Sequence, residues 1–96
     1  MPTEYGGIEI KNYMEDVVQM TLKDMLKRLN ICKCDKCLSD ITAMALNALP
    51  CKYYITAKGG VFSKLDTLKH QYEVDVVTAL TKAINRVSGD PRHDNN

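Results

Sequence analysis

Tryptophan is absent and phenylalanine occurs once, at Phe62, so Tyr5, Tyr13, Tyr53, Tyr54 and Tyr72 are the main rings available for stacking. Long apolar runs are missing too. No uninterrupted stretch approaches the roughly 20 residues that a helical membrane span needs. The opening Met-Pro-Thr-Glu-Tyr-Gly-Gly carries no basic region, apolar run or cleavage site, so a cytoplasmic chain with no membrane partner is expected. Excess charge of one sign is also lacking: 13 Lys and Arg face 12 Asp and Glu, for a net of +1. That balance argues against a protein that neutralises many phosphates of duplex DNA, and direct nucleic-acid binding is not expected. A small anion, which needs only two or three cations, stays compatible. No serine or cysteine has a neighbouring histidine in a nucleophile pattern, and no glycine-rich phosphate loop follows a strand, so an enzyme is not expected. Internal repeats and low-complexity segments are not visible.

What the chain does have is a concentration of thiols. Cys32, Cys34 and Cys37 fall within six residues, and Cys51 follows a Leu-Pro corner; these are all four cysteines. Zn2+ takes thiolates in closed tetrahedral sets, and such a set can hold together a fold too small to rest on its core alone. Four thiolates on a divalent ion leave two negative charges, and Lys33, Lys36 and Lys52 lie beside the cysteines in sequence. The pattern therefore predicts a structural zinc site at Cys32, Cys34, Cys37 and Cys51, closed to water and substrate. A disulfide framework suits four cysteines in a short chain, but a reducing compartment disfavours it. A redox pair and an iron–sulfur cluster remain as alternatives. His70 has no spacing relation to the cysteines, and His93 lies in a polar tail.

At 96 residues the chain is read as one domain over 1–96, with an ordered core of about 10–88 and flexible ends at 1–9 and 89–96. Apolar residues make up 45%, ample for a core, yet a chain this short buries only about two-thirds of its unfolded surface. The first helix should start near Lys11 with Asn12 as N-cap and Glu15 completing a capping box, and end near Asn30. Val18, Leu22, Met25 and Leu29 mark its apolar stripe, widened by Met14, Val17 and Thr21. A second helix from about Asp35 carries Leu38, Ile41, Ala45 and Leu49 inward and stops at Pro50. It places Cys37 in its first turn, where a helix terminus favours thiolate. Residues 52–56 read as a short strand, turning at Gly59-Gly60 to pair with Val61 and Phe62 in a tiny hairpin. A third, longest helix begins at Ser63, with Asp66 in the capping-box position, and runs to Gly89. Its stripe of Leu65, Leu68, Tyr72, Val76, Ala79, Ala83 and Val87 exceeds what two neighbouring helices need, which points to an isologous dimer; a compact three-helix monomer is the alternative. The fold class is mainly α: a three-helix domain with a small β-hairpin, zinc-stapled, assembled as a helical homodimer.

These residues carry a resemblance. The run Cys32-Lys-Cys-Asp-Lys-Cys37, then Asp40-Ile41-Thr-Ala43-Met-Ala45-Leu46-Asn47-Ala48-Leu49-Pro50 and Tyr53-Tyr54-Ile-Thr56, resembles the late competence development protein ComFB family. So do Lys58-Gly59-Gly60-Val61-Phe62-Ser63-Lys64-Leu65-Asp66, leading to Gln71 and Asp75-Val76, and the opening Asn12-Tyr-Met14-Glu15-Asp-Val17-Val18. The match covers about Asn12 to Ile84. It departs at Cys51, where many members have a second proline. The resemblance implies a small, mostly helical homodimer that binds metal through its cysteines. It further implies a receptor for a cyclic dinucleotide, cyclic di-GMP or cyclic di-AMP. The family pattern tied to that role, Lys-x-Asp and then Asp after eight residues, lands on Lys64, Asp66 and Asp75.

Chemistry fits those three residues to that ligand: a cation meets phosphate, and a carboxylate accepts paired hydrogen bonds from a guanine edge. Lys64 at a helix start suits an anion. On one continuous helix, nine residues at about 100° each set Asp66 and Asp75 on opposite sides. Lys64, Gln71, Asp75, Thr78 and Lys82 then share a flank. Either Asp75 joins Lys64 while Asp66 caps the helix, or the ligand lies between subunits and meets an aspartate from each. The bland readings are a capping Asp66, a solvated Lys64 and a surface Asp75 beside the dimer seam. Arg28 and Arg86 have no pattern that ties them to phosphate. Two other functions stand beside the receptor: an adaptor of the competence system without a small ligand, and redox sensing by the cysteines.

Overall fold

The computed structural model describes the backbone of residues 4–57 and 62–89 and the side chains of 5–55 and 65–89. The Gly59-Gly60 turn, Val61, the Lys64 side chain and the polar tail lie outside the described residues. The chain opens with strands β1 (Glu4–Tyr5) and β2 (Ile8–Asn12), where a frayed start was expected. Tyr5 pairs with Ile8, so the turn is Gly6-Gly7, with φ of +56° and +86°. Two successive positive φ values define a type I′ hairpin turn, and glycine adopts them without steric cost.

Strand β3 (Tyr53–Ala57) forms where the tyrosines predict it, but its partner is different. It pairs antiparallel with β2, Asn12 opposite Tyr53 and Ile10 opposite Ile55, giving the order β1-β2-β3. Phe62, assigned to the far side of the hairpin, instead opens a helix. The alternation in Ile8-Glu9-Ile10 supplies the complementary strand. Tyr53 is 60% exposed, whereas Tyr54 turns inward against Tyr13, ring centroids 5.3 Å apart. Adjacent strand residues face opposite ways, as expected.

Helix α1 (Tyr13–Leu26) is capped by Asn12, whose side-chain oxygen accepts from the Met14 N–H at 3.2 Å. The same oxygen accepts the N–H of Lys52 at 2.8 Å, and the Tyr13 N–H donates to the Lys52 carbonyl at 2.8 Å. One side chain thus caps a helix and ties it to the chain entering β3. The helix stops before Asn30 because Lys27 and Arg28 N–H groups bond back only three residues, to Asp24 and Met25, tightening the last turn. Leu29 and Ile31 still pack against the core from the loop.

Helix α2 (Asp35–Asn47) buries Cys37, Ile41 and Ala45. The third predicted helix is two: α3 (Phe62–Gln71) and α4 (Glu73–Gly89), interrupted at Tyr72. Tyr72 stays bonded on both sides, its N–H to Leu68 and its carbonyl to Val76 N–H. Because α3 starts at Phe62, Ser63 lies within its first turn and not at the cap. The interruption lets α3 lie on α1 while α4 packs on α2 and α1. Val76, Ala79, Leu80, Ala83, Ile84 and Val87 are buried inside the single chain. The stripe that suggested a partner is therefore used up within the protomer. Its extents are 45 × 29 × 21 Å, with the sheet at one end of the helices.

Candidate functional site

At the other end sits the thiol cluster. The loop from α1 delivers Cys32 and Cys34, and Cys34 is the N-cap of α2, its Sγ accepting the Cys37 N–H at 3.4 Å. Cys37 follows in the first turn, buried, while Cys32 and Cys34 are exposed. The three sulfurs lie within 4.8 Å of one another. Burial first, then hydrogen bonds with Cys34 and Cys32, push the Cys37 thiol up to about 12. A metal ion would displace that proton, as thiol ligands bind deprotonated.

The donor set suits a soft or borderline cation. In a tetrahedral site with Zn–S of about 2.3 Å, sulfurs are roughly 3.8 Å apart, so the cluster needs about 1 Å of closure at most. Three soft donors arranged on a capped helix terminus, with one face open to solvent, are able to hold a metal ion.

Cys51 is not among them. Cys34 caps the start of α2 and Cys51 lies beyond its end, and a helix of 13 residues rises about 20 Å. Lys52 is pinned at that far end by Asn12 and Tyr13, so Cys51 sits with the sheet. Sequence proximity to Pro50 gave no sense of this separation; the length of α2 decides it. Lys52 is displaced likewise. Instead of offsetting charge at the cysteines, its ammonium lies over the Tyr72 ring, 5.1 Å from the centroid. Tyr72 raises the Lys52 pKa through its hydroxyl, a contact at the junction of α3 and α4.

Asp66 is exposed on α3 and Asp75 is exposed in the first turn of α4. They lie on either side of the interruption at Tyr72, so the angle reckoned along one continuous helix does not apply to them. Neither carboxylate lines the groove between α1 and α2 or the one beside Cys32 and Cys37. Two residues escaped the sequence reading. Asn12 was read as a cap, but nothing in sequence announced its bond to a residue 40 positions away. Asp40, quoted only within a family run, holds a buried carboxylate oxygen with no hydrogen-bond partner among the described residues.

Fold and site together define a small, mainly helical domain whose first two helices meet at a thiol cluster able to hold a metal ion. No helix among the described residues is long and apolar enough to cross a membrane. The chain belongs to the ComFB family: the profile of late competence development protein ComFB matches residues 11–91. Its fold is similar to the solved structure of the late competence protein ComFB from Bacillus subtilis, with a TM-score of 0.68 and 23% identity over 88% of this chain and 93% of that one. No curated protein matches the chain significantly.

Proposed function

We propose that the protein is a zinc-stabilised, non-enzymatic regulator of the cytoplasm that binds a cyclic dinucleotide and passes the signal to another protein. The preorganised thiols of Cys32, Cys34 and Cys37 carry the metal part of this reading. A divalent ion there fixes the loop between α1 and α2 and so adds folding free energy to a small domain. Its role is structural: it holds the helices whose outer surfaces bind.

For the ligand, Lys64, Asp66 and Asp75 supply the cation and carboxylates that phosphates and a guanine edge require. The exposure of Asp66 and Asp75 on both sides of Tyr72 supports that assignment, since the two helices can present them to one ligand without the constraint of a shared axis. A homodimer belongs to the same proposal. Apolar surface remains for it outside the α4 stripe, at Tyr53, Ile55 and Val74, which are 60%, 73% and 76% exposed.

Isothermal titration tests the receptor role. Cyclic di-GMP or cyclic di-AMP should bind saturably, with sharp weakening in Lys64→Ala and Asp75→Ala. No heat from either nucleotide at ligand concentrations on the order of tens of micromolar refutes it.

A further inference from the structure

Cys34 and Cys37 form a Cys-x2-Cys pair on the first turn of α2, and their two sulfurs have different surroundings. Cys34 is the N-cap and exposed, and its carbonyl accepts the Leu38 N–H at 3.0 Å, so it already follows the helical course. Three residues along a helix separate Cα atoms by about 5 Å, within the span that a disulfide bridges. The Cys37 N–H donates to Cys34 Sγ at 3.4 Å, which folds that side chain back over the turn toward Cys37. The sulfurs of the cluster lie within 4.8 Å of one another, and Cys37 is only 2% exposed. An accessible sulfur thus sits against a buried one: the first can meet an oxidant, and the second can resolve the product. Helical geometry holds this pair together, whereas Cys32 comes from the loop before α2.

We propose that Cys34 and Cys37 are a redox-active dithiol that a hydroperoxide converts to a disulfide, dismantling the metal site. The loss of metal rests on the metal reading above; the disulfide does not. The Cys34 sulfur attacks one peroxide oxygen. An S–O bond forms, the O–O bond breaks, and water, or an alcohol from an organic peroxide, leaves. The Cys37 sulfur then attacks the Cys34 sulfur. An S–S bond forms, the S–O bond breaks, and a water leaves. In all, the two thiols give up two electrons and two protons, and the peroxide is reduced. Metal ligation needs deprotonated thiols, so the disulfide leaves Cys32 as the one thiol of the cluster able to hold an ion.

Peptide mapping tests this on the full chain. Lys33 and Lys36 put Cys32, Cys34 and Cys37 on three separate tryptic peptides, and Cys51→Ser leaves Cys37 as the only cysteine on its own. In that variant, loaded with Zn2+ and treated with hydrogen peroxide, the peptide of residues 34–36 should be joined to that of 37–52. About one zinc should be released for every two thiols lost, and dithiothreitol should restore both the thiols and zinc binding. Adding Cys32→Ser should leave the same disulfide forming. Adding Cys37→Ser should instead leave a sulfenic acid on Cys34 that dimedone traps. A dominant bridge to Cys32, or thiols that stay free while the zinc stays bound, overturns the dithiol and leaves the metal reading standing. A chain that takes up no zinc yet forms the Cys34–Cys37 bridge sinks the metal reading and sustains the dithiol.

Discussion

Asn12 offers a sharp test of how the fold is held together. Its side-chain oxygen accepts the N–H of Met14 at 3.2 Å and that of Lys52 at 2.8 Å, so one atom serves a helix cap and a contact between segments 40 residues apart. Asn12→Ala removes the cap, at a cost of about 1 kcal/mol. It also strands a partly buried Lys52 N–H, costing about 1–3 kcal/mol more. The sum is roughly 2–4 kcal/mol against a total stability of about 5–15 kcal/mol for a natural domain. For a chain of this size each kcal/mol lowers the melting temperature by about 4–8 °C, so a drop of roughly 8–32 °C is expected. Asn12→Asp keeps an acceptor in both directions and adds negative charge at a helix N-terminus, so it should stay within about 0.5 kcal/mol of the parent. Asn12→Ser, too short to serve both donors, should fall between. Thermal and urea unfolding followed by circular dichroism measure all three. Equal losses in the alanine and aspartate variants, or an alanine loss below about 0.5 kcal/mol, refute the bridging role.

Three further outcomes follow from the same structure. Leu80, fully buried on α4, should cost about 2–5 kcal/mol as Leu80→Ala, while Thr81→Ala on the exposed side should change unfolding by under about 0.5 kcal/mol; similar effects at both sites would falsify the packing of α4. Metal analysis by mass spectrometry should find the parent stoichiometry in Cys51→Ser and loss of metal in Cys37→Ala. In the reduced, metal-free protein the folded-state pKa of Cys37 is raised above its ordinary value of 9.0 to about 12. The unfolded chain therefore ionises first, and the fold should lose stability as the pH rises above about 9. Urea midpoints at pH 7.5 and 10.5 should fall more steeply for the parent than for Cys37→Ala; parallel slopes contradict the shift.

Much of this protein is written in local sequence, because helices answer to neighbours three and four residues away. Asn12 followed by Val17, Val18 and Leu22 sets the start and buried face of α1. Asp35, Ile41 and Ala45, stopped by Pro50, do the same for α2, and Cys-x-Cys-x2-Cys gathers three sulfurs because a loop and one helical turn already hold them close. The adjacent Tyr53 and Tyr54 mark β3 and turn one ring outward and the other inward; which is which came from the structure. Family membership is legible in the same way, in runs such as Asp40 to Pro50.

Long-range matters were decided by the tertiary structure. Strand β3 was identifiable but not its mate, since pairing with Ile8–Asn12 rather than with residues just downstream depends on where α1 and α2 bring the chain back. The break at Tyr72 carries no proline or glycine to announce it; it falls where the chain passes from α3, which packs on α1, to α4, which packs chiefly on α2. Only that arrangement shows the α4 stripe satisfied within one chain. The same rigidity of α2 that gathers three thiols at its start carries the chain about 20 Å along its axis before the fourth is reached, a rise of 1.5 Å per residue that no cysteine spacing reveals.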